Sequence, residues 1–135
     1  MNTKTVGSCL CGQVRFEIEG DFESFYLCHC SRCRKDTGSA HAANLFSHSA
    51  KLKWLSGAEC IRTFTLPSTH HTKSFCSICG SSLPNIQMEG KLLVVPAGSL
   101  DCDVPIMPDA HILVSSRANW DKDLHKIRQI DGLPG

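Results

Sequence analysis

The sequence predicts a mainly β fold, and three observations indicate it. Short runs of alternating apolar and polar residues recur along the 135 residues, single glycines and prolines separate them at fairly even intervals, and helical periodicity is scarce. The length suits one domain, 1–135, that buries roughly two thirds of its unfolded surface around a single core. Aromatic residues make up only 7% of the chain, so we expect that core to be mostly aliphatic.

The strand candidates follow in chain order. Residues 14–18 alternate apolar and polar side chains, the period-two pattern of a strand with one buried face, and Gly20 ends it. Residues 25–27 form a second short strand that runs into a group of cysteines. Helix is expected only as a short turn over 31–36 and another over 121–126. The further strand candidates, each bounded by turn residues, are 42–46, 52–55, 61–66, 72–75, 92–95 and 112–114.

Charge and hydropathy argue against several classes of partner. The formal net charge of +1 gives no long-range field of either sign, so neither nucleic acid nor a membrane surface is expected as a partner. The N-terminal residues lack the apolar run of a signal peptide, and the longest aliphatic stretch, 92–95, is far too short to span a bilayer. We therefore expect a cytoplasmic chain. In that reducing compartment, nine cysteines indicate metal ligands or redox groups rather than disulfides.

Two pairs of cysteines predict a closed metal site. Cys9 with Cys11, and Cys76 with Cys79, form CxC and CxxC pairs that are each followed directly by glycine, which tolerates the backbone geometry of a tight turn. Four thiolates make a tetrahedral set that selects zinc, with iron as the alternative. The site would join two distant parts of the chain. Closing so long a loop is where a metal link stabilises most in a simple entropy model.

A third group of cysteines predicts an open metal site. Cys28, Cys30 and Cys33 lie within six residues and have no fourth cysteine allotted to them, since Cys60 and Cys102 stand alone. Three protein ligands plus an exchangeable position is the arrangement of a catalytic zinc site. A redox pair formed by Cys30 and Cys33 is the alternative.

Basic residues accompany this third group. Arg32, Arg34 and Lys35 put positive charge beside the thiols, which lowers a thiol pKa and attracts an anionic substrate. They are therefore candidate contacts for a substrate carboxylate, although for any one of them a solvated turn is the simpler interpretation. Cys30, between the other two ligands, is the candidate catalytic residue.

The histidines carry weaker signals. His29 stands between two predicted ligands and is expected to point outward, and His70 and His71 are expected to be exposed in a polar loop. His111 precedes an apolar run, so a core or hydrogen-bonding role is expected for it rather than catalysis.

Taken in order, these motifs resemble the glutathione-dependent formaldehyde-activating enzyme family, which also contains centromere protein V. The resemblance implies a β-tent of folded antiparallel sheets around a four-cysteine structural zinc, with a second zinc on the third group of cysteines near the thiol substrate. It also implies the family's activity, which joins formaldehyde and glutathione into S-hydroxymethylglutathione and is formally a carbon–sulfur lyase reaction in reverse. The matching segments, which span nearly the whole chain, are 7–12, 28–34, 75–80, 97–101, 111–112 and Trp120.

One hypothesis and two alternatives follow. The first is a zinc-dependent carbon–sulfur lyase-type enzyme that acts on a small thiol, glutathione, and an aldehyde such as formaldehyde. It would hold two zinc ions per chain, the second of them labile. The second is a non-catalytic binding module in which both zinc ions are structural. The third is a thiol redox enzyme with a Cys30–Cys33 couple and no second zinc.

Overall fold

The computed structural model describes residues 3–135, and in that range the chain forms eleven strands and one α-helix, α1, over Ser31–Thr37. Short 3-10 turns connect several of the elements. The strands are β1 (Lys4–Ser8), β2 (Arg15–Glu19), β3 (Ser24–Cys28), β4 (Ala42–Ser47), β5 (Lys51–Ser56), β6 (Ile61–Thr65), β7 (Thr72–Cys76), β8 (Ser82–Leu83), β9 (Asn85–Gln87), β10 (Leu92–Pro96) and β11 (Ala110–Ile112).

The strands form three sheets, ordered β1-β2-β5, β11-β3-β4-β10-β9 and β6-β7-β8. Their pairings are antiparallel with one exception, because β11 lies parallel to β3 with Ala110 opposite Tyr26. This architecture confirms the predicted mainly β fold of antiparallel sheets with little helix. No helix within residues 3–135 is long and apolar enough to cross a membrane.

The core follows from the period-two pattern of the strands. In β2, Phe16 and Ile18 are fully buried while the residues that alternate with them are half-buried or exposed. The ring of Phe16 meets Trp54 of β5 edge to face, with centroids 5.8 Å apart. Gly7 of β1 lies so close to this ring that a Cβ atom there would come within 2.2 Å of it. Buried aliphatic residues of the neighbouring sheet, such as Leu45 and Val95, form another part of the core.

Three strands were not predicted, and one prediction was displaced. The sequence of β1 does not show the pattern of a strand, because Thr5 and Gly7 are buried while the apolar residue between them, Val6, is exposed. β8 and β9 are only two and three residues long, too short to show a period. The strand predicted over 112–114 lies instead at 110–112, because Leu113 adopts a left-handed backbone conformation and a 3-10 turn follows it.

Candidate metal centres

The two cysteine pairs converge at one point between two sheets. Cys9 and Cys11 lie in the turn between β1 and β2, Cys76 ends β7, and Cys79 lies in the turn before β8. All four Sγ atoms lie within 4.8 Å of one another. The separation is 3.5 Å between Cys9 and Cys11 and 3.9 Å between Cys11 and Cys76. Zinc–sulfur bonds of about 2.3 Å in a tetrahedron place sulfurs about 3.8 Å apart, so this group, the four-cysteine cluster, fits a tetrahedral metal ion.

Each turn of the four-cysteine cluster is shaped by its glycine. Gly12 and Gly80 adopt φ angles of 81° and 78°, which side chains disfavour, and this agrees with the role predicted for them. The N–H of Gly80 donates to the carbonyl of Cys76 at 2.7 Å. In the other turn, the N–H of Val14 donates to Cys9 Sγ at 3.3 Å. The backbone thus holds both turns in the conformation that aims the sulfurs at one point.

One sulfur of this cluster is set up to ionise. Ser81 Oγ lies 3.2 Å from Cys79 Sγ, and hydrogen bonding with the side chain and backbone of Ser81 lowers the pKa of Cys79 to about 5. A thiolate at neutral pH is the form that binds a metal. The same hydroxyl accepts the N–H of Leu10 at 2.9 Å and so ties the two turns together without a metal.

The third group of cysteines, the three-cysteine cluster, surrounds the start of α1. Cys28 ends β3, Cys30 caps the N-terminus of the helix, and Cys33 lies buried in its first turn. The three Sγ atoms lie within 4.8 Å of one another, and among residues 3–135 no fourth histidine, cysteine or carboxylate joins them at that distance. The donor set therefore fits a metal ion with one coordination position left over.

The thiols of the three-cysteine cluster have unequal acidities. Burial acts to raise the pKa of the Cys30 thiol, but the N–H of Cys33, which donates to Cys30 Sγ at 3.4 Å, and the neighbouring sulfurs lower it overall. Burial raises the pKa of Cys33 and of Cys28. Without a metal, Cys30 is therefore the thiol that ionises first.

A cavity of about 350 Å³ opens beside this cluster, with Cys33 in its lining. Its wall also carries Asp36 and Lys73, whose Oδ1 and Nζ atoms are 3.0 Å apart, and the amide side chain of Asn85. His71, which was expected to be exposed, is half-buried here because its Nε2 lies 2.8 Å from Asp36 Oδ2. The cavity therefore has the three-cysteine cluster at one side, and polar and charged side chains line part of its wall.

The predicted basic residues lie elsewhere on the helix. Arg32 and Lys35 are exposed, Arg34 is half-buried, and none of the three belongs to the lining of the cavity. Lys73, which no motif in the sequence marks, is the lysine in that lining. Its distant position in the chain gave no sign that β7 lies against α1.

His29 does not point outward as expected; its exposure is 1%. The residue directly follows β3, where successive side chains face opposite sides. Cys28 and Cys30 both contribute to the three-cysteine cluster on one side of the chain, so the side chain of His29, between them, faces the opposite side. That side is covered by protein rather than by solvent. There His29 meets His41, just before β4, and Asp121, and their ligand atoms lie within 4.8 Å of one another. We call this group the histidine cluster.

Two further contacts surround His29. Its Nε2 lies 2.8 Å from His111 Nδ1, which confirms the hydrogen-bonding role predicted for His111. Its Nδ1 lies 3.1 Å from Asp121 Oδ2. Burial lowers the pKa of His29, and this outweighs the opposing effect of the Asp121 carboxylate. The imidazole is therefore held in its neutral form.

Fold and site together define a class, that of mainly β proteins with separate cysteine clusters suited to metal ions. Comparison with known proteins shows which family within this class the chain belongs to. A family model described as "Glutathione-dependent formaldehyde-activating enzyme" matches residues 4–116. A curated protein of Halomonas elongata, named "Putative glutathione-dependent formaldehyde-activating enzyme", is 34% identical over 125 residues, which cover 84% of this chain and 77% of the relative. The chain belongs to the glutathione-dependent formaldehyde-activating enzyme family.

A solved structure shares the fold. The crystal structure of a Rhodobacter sphaeroides protein aligns with a TM-score of 0.54 and 26% sequence identity. The alignment covers 74% of this chain and 91% of that one. The resemblance stated from the cysteine motifs is confirmed by the family model and the curated relative.

Proposed function

We propose that this chain is a zinc-dependent enzyme of carbon–sulfur chemistry that joins a small thiol, glutathione, to an aldehyde such as formaldehyde and cleaves the same adduct in reverse. The observation that carries this proposal is that the three-cysteine cluster lies beside a cavity of about 350 Å³, with Cys33 in the lining of that cavity. A cavity of that size lies within the range of small-molecule sites. Membership of the family supports the two substrates.

In this proposal the two cysteine clusters have different tasks. The four-cysteine cluster holds a structural zinc, because its four sulfurs fill a tetrahedral coordination set and leave no open position. This zinc stabilises the chain as a single domain, 1–135. The three-cysteine cluster holds a second, more labile zinc through Cys28, Cys30 and Cys33. We thus expect the two cysteine clusters together to hold two zinc ions per chain in a metal-replete preparation.

The chemistry needs a thiolate and an oriented aldehyde. A zinc ion at the three-cysteine cluster, when bound, supplies a lowered thiol pKa near neutral pH. The polar wall with Lys73 and Asn85 orients a peptide-like thiol by hydrogen bonds. The sulfur lone pair then forms the carbon–sulfur bond, the π electrons of the carbonyl move to its oxygen, and that oxygen takes up the proton that the thiol released. Cleavage reverses each of these movements.

The test is the rate of exchange between glutathione, formaldehyde and their adduct at equilibrium, measured by magnetisation-transfer NMR on the metal-loaded chain. We expect exchange faster than in a protein-free control. Cys30→Ser should abolish the acceleration and leave the fold intact, whereas Cys102→Ser, at an exposed position outside both clusters, should not. Exchange equal to the protein-free control across several thiols and aldehydes contradicts the proposal and favours a binding module with two structural zinc ions.

Four alanine variants test which basic residue contacts the carboxylate groups of the thiol. Arg32→Ala tests the contact predicted from sequence, and Lys73→Ala tests the lysine that lines the cavity. The variant that removes a carboxylate contact should raise the glutathione concentration needed for half-maximal exchange, with less effect on a thiol that lacks carboxylates. Arg34→Ala and Lys35→Ala complete the set of predicted contacts.

A second candidate function is thiol redox chemistry, and one observation favours it. Cys30 caps α1 and its pKa is lowered, while Cys33, in the first turn, has a raised pKa. An acidic thiol followed by a second thiol within one helical turn is suited to reversible disulfide formation. In this alternative the Cys30–Cys33 couple has a measurable reduction potential and the cysteine clusters of the purified protein hold one zinc ion rather than two.

A further inference from the structure

The histidine cluster concentrates buried polar atoms that make no hydrogen bond, although Asp121 Oδ2 lies near His29 Nδ1 and Arg117 Nε. Within residues 3–135, five buried side-chain nitrogen or oxygen atoms lack a hydrogen-bond partner. Three of the five are His29 Nδ1, His41 Nδ1 and Asp121 Oδ2, and the ligand atoms of these residues lie within 4.8 Å of one another. Leaving a buried polar atom without a hydrogen bond costs about 1–3 kcal/mol, and one ion in contact with all three atoms would satisfy them together.

We propose that His29, His41 and Asp121 form a third metal site, which binds a divalent transition-metal ion through the two Nδ1 atoms and the carboxylate oxygen. The inference is independent of the function proposed for the cysteine clusters. It rests on residues that no cysteine cluster uses as ligands and that converge from three separate segments: the end of β3, the start of β4, and the segment after β11.

The geometry of the closest pair supports a shared ion over a direct bond. His29 Nδ1 and Asp121 Oδ2 are 3.1 Å apart, yet the two atoms are not aligned as a hydrogen bond. Ligands bound to one ion at about 2.1 Å lie roughly 3.0–3.5 Å apart and point at the ion rather than at each other. The pair therefore has the separation and the misalignment of two neighbouring metal ligands.

The surroundings supply the outer partners that metal ligands need. His29 Nε2 lies 2.8 Å from His111 Nδ1, so a metal on Nδ1 of His29 leaves its Nε2–H to donate to His111. Arg117 Nε lies 3.5 Å from Asp121 Oδ2, and its charge steadies the carboxylate. Such outer contacts fix the ring tautomer and the orientation of a ligating group.

The donor set selects the class of ion. Two imidazole nitrogens and one carboxylate oxygen suit zinc, iron(II), cobalt(II) and related ions, and they disfavour calcium and magnesium, which prefer oxygen. No thiolate takes part, because no cysteine sulfur within residues 3–135 lies within 4.8 Å of all three ligand atoms. Cobalt(II) is therefore a useful probe, because cobalt bound to sulfur and cobalt bound to nitrogen and oxygen have different spectra.

The experiment uses the full chain, without an affinity tag and with its cysteine clusters filled with zinc. Titration with Co²⁺ should add one equivalent of bound metal that shows d–d absorption and no sulfur-to-cobalt charge-transfer band. Anomalous diffraction at the cobalt edge should place that ion between His29, His41 and Asp121. The proposal is overturned if the chain binds no metal beyond the zinc of its cysteine clusters, or if all of the bound cobalt is accounted for by zinc that it displaces from those clusters.

Variants separate this site from a purely structural hydrogen-bond network. His41→Ala and Asp121→Asn, both at half-buried positions, should each abolish the extra equivalent. His111→Ala should keep the site but weaken cobalt binding about 10- to 100-fold. The matched control is His48→Ala, an exposed histidine paired with Glu23, which should bind as the wild type does. Cobalt binding that is equal in His41→Ala, Asp121→Asn and the wild type contradicts the assignment even if those variants are less stable.

Discussion

The metal link proposed at the four-cysteine cluster can be tested by removing one of its two pairs of cysteines. The double variant Cys9→Ser, Cys11→Ser takes away both thiolates of the turn between β1 and β2, so no single ion can join that turn to β7. Serine at position 9 keeps an acceptor for the N–H of Val14, so the local turn is preserved. A matched double variant, Cys60→Ser with Cys102→Ser, removes two thiols outside both clusters.

The expected loss follows from the loop that the link closes. Cys11 and Cys76 are 65 residues apart in sequence. In the chain-entropy model a cross-link over such a loop stabilises the folded state by about 4 kcal/mol. Domains of this kind are stable by about 5–15 kcal/mol, so the loss is a large fraction of the total. For a chain of this length it corresponds to a fall in Tm of roughly 10–15 °C.

Thermal and urea unfolding, followed by far-ultraviolet circular dichroism, measure this loss in zinc-loaded protein. We expect the cluster variant to lose about 4 kcal/mol or more, and the control variant to stay within about 1 kcal/mol of the wild type. If the cluster variant unfolds at the wild-type midpoint, the link carries no stability and the structural role proposed for the four-cysteine cluster is refuted.

Three further predictions concern lability, acid and packing. A mild chelator should remove metal from the three-cysteine cluster before the four-cysteine cluster, with little change in circular dichroism; simultaneous loss of both with unfolding would indicate two structural sites. Hydrogen bonds from the side chain and backbone of His48 lower the pKa of Glu23 to about 2 from 4.5, so the stability that Glu23 adds is full above pH 4.5 and is lost as the pH falls towards 2. The Tm difference between wild type and Glu23→Gln should shrink over that interval, and a constant difference would rule out this ionisation as its source. Gly7→Ala should cost about 1–3 kcal/mol because its Cβ would collide with Phe16, whereas Gly98→Ala, with open space around it, should not; equal midpoints would contradict the close packing.

The cysteine motifs were predictable because their information is local. A CxC or CxxC pair followed by glycine specifies its own turn, and only the meeting of two such turns depends on the fold. The same holds for β2, where the alternation of Phe16 and Ile18 with charged residues shows the buried face directly. Predicted and observed strands therefore agree to within a residue or two over most of the chain.

The features that sequence could not reveal depend on which distant segments become neighbours. Nothing near His29 shows that His41 and Asp121 cover it, so a histidine between two ligands was expected to face solvent. The lining lysine, Lys73, is a similar case, since its position beside α1 depends on how β7 packs. The burial of His29 had one usable signal, the alternation of side chains at a strand end, which places it opposite the thiols.

The parallel pairing of β11 with β3 has a consequence for the growing polypeptide. Until β11 is made, β3 has β4 on one side and an open edge on the other. The contact at the N-terminal end of this pairing, between Phe25 and Asp109, joins residues that are 84 positions apart in the sequence. At about 5–20 residues per second, a ribosome needs several seconds to add the residues between them. During that interval an apolar strand that includes Phe25 and Leu27 presents unpaired backbone groups, the kind of edge on which nascent chains aggregate. A lower growth temperature and added chaperones should therefore raise the soluble yield of this protein more than changes that stabilise the finished fold.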